Sequence, residues 1–132
     1  MKNYNFVAII LCAVLLVTFS CILNPDKTAD VYGEVTMNKV LTIKYGGHVE
    51  MEYNGETKKS TLTNRHEDGN LAIYDCKFEN IEVADGKKAT FIVKFLNGFG
   101  AETIVESKSL ELNEGDNKFR IYVNPLWKDE IF

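Results

Sequence analysis

The residue types in this chain that could do chemistry are few, and the most suggestive set is His48, Glu50 and Glu52. At every second position of an extended strand the three side chains share one face, a spacing that can present an imidazole and two carboxylates to a metal ion. The wet face of a half-buried strand has the same pattern. Val49, Met51 and Tyr53 interleave as its apolar side, so the expectation is a solvated face holding no metal. His66, Glu67 and Asp68 are contiguous and read as a solvated turn. A nucleophilic centre needs a hydroxyl or thiol beside a base that a third group orients, and no local signature supplies one. Cys76 shares the apolar side of its strand with Tyr74 and Phe78, which marks a packed rather than a reactive thiol. The chain is therefore expected to have no catalytic residues and no cofactor.

Aromatic residues are the better candidates for contact with a ligand. Asn97, Gly98, Phe99 and Gly100 place a ring between two glycines on a turn, with little flanking side chain to cover it. Such a ring can stack on a sugar or on an apolar group of a partner, because aromatic faces bury large areas with few torsions to freeze. The commoner fate of a lone loop aromatic is to fold back as a plug over the end of a core, and that is the expectation for Phe99. Trp127 and Tyr122 are further possible ligand contacts. The tail from Asn124 to Phe132 also holds Ile131 and Phe132, and either packs along a sheet or stays open to a partner.

The elements that must position these residues alternate with a period of two. Val49, Met51 and Tyr53, then Phe91, Val93 and Phe95, then Phe119, Ile121 and Val123 each interleave with mostly polar neighbours, the grammar of strands with one buried face. Further strands are predicted over Val31–Thr36, Val40–Tyr45, Glu56–Thr63, Leu71–Phe78, Ala101–Ser107 and Leu110–Leu112. Asn54 and Gly55 tolerate the positive φ angles of a two-residue hairpin. Asp68–Gly69, Asp85–Gly86, Asn97–Gly98 and the stretch Glu114–Asn117 mark other reversals. No window shows a capped helical period. The prediction is an all-β fold, a single antiparallel β-sandwich of about seven to eight strands.

Gly33-Glu34-Val35, then Gly47-His48-Val49, then Asp68-Gly69 ahead of Leu71, and Gly98-Phe99 after Phe91–Leu96 form a run of landmarks that resembles the carboxypeptidase regulatory-like domains. That resemblance implies a transthyretin-like sandwich over about Val31 to Val123, acting as a noncatalytic accessory or adhesive module. An immunoglobulin-like sandwich is the alternative, although its hallmark pair of cysteines around a buried tryptophan is missing here.

The first 21 residues give an address. Lys2 precedes an apolar run from Phe6 to Val17, which fits the core of a secretory signal peptide and falls short of the ~20 residues that a membrane-spanning helix needs. The stretch from Leu15 to Cys21 resembles the signal of bacterial lipoproteins, which implies that Cys21 is acylated and becomes the mature N-terminus. Ordinary secretion with cleavage nearby is the alternative. The expected organisation is a signal peptide over 1–20, a lipidated N-terminus and tether over 21–30, and the β-sandwich over 31–132. With Cys12 discarded, Cys21 and Cys76 remain: either Cys21 carries lipid and Cys76 is an inert buried thiol, or an oxidising compartment permits a bridge between them.

Charge excludes one class of partner. The 132 residues carry 15 basic and 19 acidic side chains, and the net charge of −4 becomes −5 once the leader, with its single Lys2, is removed. Lysines scattered among glutamates make no phosphate-binding patch, so nucleic acid is not an expected partner. The sequence thus points to a cell-envelope protein held to a bacterial membrane by lipid, periplasmic or surface-exposed, whose sandwich binds or scaffolds another envelope protein. The alternative is a secreted or periplasmic carbohydrate-binding accessory domain that uses Phe99, Trp127 and Tyr122 on a glycan.

Overall fold

A computed structural model describes residues 26–39, 43 and 45–123, and every regular element among them is a strand. In chain order these are β1 (Thr28–Asn38), β2 (Gly47–Tyr53), β3 (Glu56–Thr61), β4 (Thr63–Asp68), β5 (Leu71–Glu82), β6 (Lys88–Leu96), β7 (Glu102–Glu111) and β8 (Gly115–Tyr122). They form two four-stranded sheets, β4-β5-β1-β8 and β3-β2-β6-β7. Neighbouring strands run antiparallel except β1 and β8, which are parallel.

Alternation and turn chemistry account for most of this. The buried members of β2 are Val49, Met51 and Tyr53, and those of β6 are Ala89, Phe91, Val93 and Phe95. Asn54 and Gly55 adopt φ angles of 51° and 82°, the left-handed pair that a tight hairpin requires, and so fix Tyr53 opposite Glu56. Three expectations are corrected. His66, Glu67 and Asp68 belong to β4, an edge strand exposed along its whole length, and not to a turn. The segments Ala101–Ser107 and Leu110–Leu112 merge largely into the single strand β7. Of the strand expected over Val40–Tyr45, Ile43 and Tyr45 lie outside any strand, and residues 40–42 and 44 lie outside the described residues.

Aromatic packing between the sheets fills the core. Phe91 of β6 is wholly buried; its ring stacks on Phe119 of β8 with centroids 4.1 Å apart and meets Phe78 of β5 at 5.9 Å. Gly33 of β1 makes that stack possible. A β-carbon there would lie 2.2 Å from Phe119 Cζ and 2.5 Å from Cys76 Sγ.

The two ends of the sandwich are chemically distinct. At the end where the described chain enters, Val83 N–H donates to the Lys27 carbonyl at 2.8 Å. There the Tyr53 hydroxyl also accepts from Ala84 N–H at 2.8 Å and donates to the Ala84 carbonyl at 3.1 Å. At the other end lie Asn38, Gly46, Leu96 and the loop from Asn97 to Ala101, with Leu96 N–H donating to the Gly46 carbonyl at 3.1 Å. Eleven residues of β1 at about 3.3 Å each separate the ends by some 30 Å or more.

Replacing Gly33 by alanine should lower the unfolding free energy by at least ~1–3 kcal/mol, the usual scale of overpacking. The double variant Gly33→Ala with Phe119→Leu should lose less than the sum of the two single variants, as measured by denaturant unfolding. Additive losses would show that the two positions do not share the contact.

Candidate functional site

The loop between β6 and β7 is built around one side chain. Asn97 Oδ1 accepts the N–H groups of Phe99 and Ala101, each at 3.0 Å, while the Asn97 N–H donates to the Ala101 carbonyl, also at 3.0 Å. Gly100 takes φ 79°, which turns the chain back into β7. Gly98 lets the Tyr45 ring approach, since a β-carbon at that position would stand 3.1 Å from it. With its neighbours so fixed, Phe99 points away from the protein and is 99% exposed. The expected plug is thereby corrected: Leu96 and Tyr45 surround the base of the loop, and the hydrogen bonds of Asn97 hold the ring off the core.

Tyr122 projects from the outward face of β8 and is 58% exposed, and its hydroxyl accepts from the Arg120 guanidinium at 3.3 Å. It makes no ring contact with Phe99 among the described residues, so the two aromatics do not form one binding surface. Trp127 and Cys21, the remaining sequence-derived site residues, lie outside the described residues.

The strand carrying His48, Glu50 and Glu52 holds a different arrangement from the one its spacing proposed. Glu52 is exposed and stands apart, whereas Glu102 at the start of β7 joins His48 and Glu50, with ligand atoms of the three within 4.8 Å of one another. Two lysines occupy the carboxylates. Lys94 Nζ lies 2.6 Å from Glu50 Oε2 and 3.5 Å from Glu102 Oε2, and Lys59 Nζ lies 2.9 Å from Glu50 Oε1 and 3.6 Å from Glu102 Oε1. His48 Nε2 stands 3.4 Å from Glu50 Oε1. The Glu50 side chain is only 9% exposed, although it sits on the outward face of its sheet. Bonds from Lys94, then Lys59, hold the Glu50 carboxyl down at about 2 against an ordinary 4.5. A divalent ion would have to displace two bound ammonium groups to reach these oxygens, so the arrangement fits a structural ion-pair network.

Sequence reasoning missed Lys59, Lys94 and Glu102. Lys59 had a signal, because the Asn54–Gly55 hairpin sets it opposite Glu50. Lys94 and Glu102 arrive through long-range pairing and left none. Cys76 behaves as expected: it is a free thiol, buried beside Gly33, and burial with the nearby Asp75 carboxylate pushes its pKa up to about 12.

No family model and no curated protein matches this chain. Among solved structures it is similar to a leucine-rich repeat protein from Bacteroides thetaiotaomicron, with a TM-score of 0.48 and 11% identity over 74% of this chain. The match spans 12% of that protein's length.

Because the Glu50 carboxyl is depressed by its native partners, its contribution is complete above about pH 4.5 and is lost as the pH falls toward 2. Chemical unfolding across that window should show stability dropping with acidification, and Glu50→Gln should flatten this part of the profile. An unchanged slope in the variant would place the acid sensitivity elsewhere.

Proposed function

We propose that this chain is a noncatalytic binding module of a bacterial cell envelope, tethered through Cys21 and offering Phe99 to an apolar pocket on a partner protein. The carrying observation is the 99% exposure of Phe99 on an asparagine-braced loop, at the end of the sandwich opposite the entry of the chain at Asp26. A tether that joins at Asp26 would leave the Phe99 end farthest from the lipid.

The form of the exposure favours a protein pocket over a sugar. A ring that stacks on a saccharide is backed by protein and offers one face, whereas Phe99 offers both faces and its edge. A free-standing knob gains most from a concave receiver that covers it on all sides, as buried aromatic anchors do at interface centres. The loop is already ordered by its own hydrogen bonds, so little entropy is lost when the ring docks. The noncatalytic reading is supported by Glu50 and Glu102, whose oxygens are committed to lysines, and by the raised pKa of Cys76.

The fold reading within this proposal is immunoglobulin-like rather than transthyretin-like. The order β3-β2-β6-β7 corresponds to C′-C-F-G of that family, and β4-β5-β1 corresponds to D-E-B. β8 takes the place of the first strand, parallel to β1.

A photo-crosslinking phenylalanine analogue placed at position 99 in intact cells should give one discrete adduct that the same analogue at exposed Ile104 does not give. With that partner purified, Phe99→Ala should weaken binding by ~30-fold, the scale of an interface hot spot, with no change in melting temperature. Equal adducts at both positions, or unchanged affinity in the alanine variant, would overturn the assignment.

A further inference from the structure

A second surface, independent of the Phe99 loop, lies on the outward face of the sheet β4-β5-β1-β8. The pairing of β1 with β8 and β5 places Lys118, Tyr32 and Lys77 side by side in one row across three strands. Tyr32 is 37% exposed and stands between two hollows, both of which it lines. The hollow toward β8, of about 690 Å³, also takes in Glu34, Lys108, Asp116, Lys118 and Arg120. The hollow toward β4, of about 490 Å³, takes in Asn64, Asp75 and Lys77.

The charges on this face are unevenly satisfied. Arg120 Nε donates to Glu34 Oε2 at 2.6 Å, so that pair is neutral. Lys108 donates to the Arg120 carbonyl at 3.2 Å, which leaves its charge without a carboxylate, and Lys118 makes no ion pair among the described residues. Against these two ammonium groups stands only Asp116. A local cationic excess on a chain of net charge −4 is the reverse of the whole protein's balance. Tyr32 differs from Phe99 in being a backed ring: Lys77 Nζ lies 5.0 Å from its centroid, and β1 supports it from below.

We infer that this face binds an acidic oligosaccharide laid across the strands, with Tyr32 as the stacking platform and Lys118 and Lys108 as partners for its carboxylates. At roughly 4.8 Å between strands, the row from Lys118 to Lys77 is about 10 Å across. It therefore meets successive units of a chain molecule, not one small anion. The inference does not depend on the role assigned to Phe99.

Calorimetric titration of the full chain with tetragalacturonate and with uncharged maltotetraose tests it. Saturable binding of the acidic sugar is expected, with the neutral one at least about tenfold weaker. Tyr32→Ala and Lys118→Glu should each weaken the acidic sugar by about tenfold or more, while Phe99→Ala leaves it unchanged. If Tyr32→Ala fails to fold, Lys118→Glu, a change at an exposed position, decides the matter. No saturable binding of tetragalacturonate, equal binding of the two sugars, or full affinity in the folded variants would overturn the inference.

Discussion

Phe119 can lie over β1 only because residue 33 of that strand has no side chain. The approach is close enough that a single added carbon would collide with both Phe119 and Cys76. From this contact the rest of the architecture follows. Phe119 stacks on Phe91 of the opposite sheet, which ties β8 to the core and covers the flank of β1. β1, paired on one side with β5 and on the other with β8, then becomes the strand about which its sheet is ordered. Because β1 is also the first strand, its direction fixes which end of the domain faces a tether and which end carries the β6–β7 loop.

Two asparagines govern the two ends. Asn117 is buried at the end where the chain enters; its amide donates to the carbonyls of Asn113 and Gly115 at 2.7 and 3.0 Å, and its Oδ1 accepts from Asn113 N–H at 3.0 Å. That bracket carries the chain from β7 in one sheet to β8 in the other. Asn97 makes a similar bracket at the far end, but with nothing packed over it, so its effect is to display a side chain instead of burying one. The difference lies in what surrounds the two turns, since the side-chain chemistry is the same.

Much of this was legible in the sequence, and what was not has identifiable causes. Alternation located β2, β6 and β8 because half of each strand is apolar and buried. It failed for β4, which is exposed on both faces and carries no apolar signal. The Asn54–Gly55 turn was readable and even implied that Glu50 faces Lys59, but Glu102 and Lys94 reach the same carboxylate by pairings that depend on the whole sheet. His48 and Glu50 were correctly placed on an outward face; that Glu50 is buried there reflects the ion pairs drawn over it. The fate of Phe99 turned on the two hydrogen bonds accepted by Asn97, which no hydrophobicity pattern encodes.

The directional account joins a structural fact, the separation of the chain entry from Phe99, to an expectation about Cys21. The intact mass of the protein extracted from its native membrane tests that link most directly. The account predicts residues 21–132 plus the mass of acyl chains, with Cys76 as a free thiol. An unmodified Cys21, bridged to Cys76 or preceded by the uncleaved leader, would contradict it.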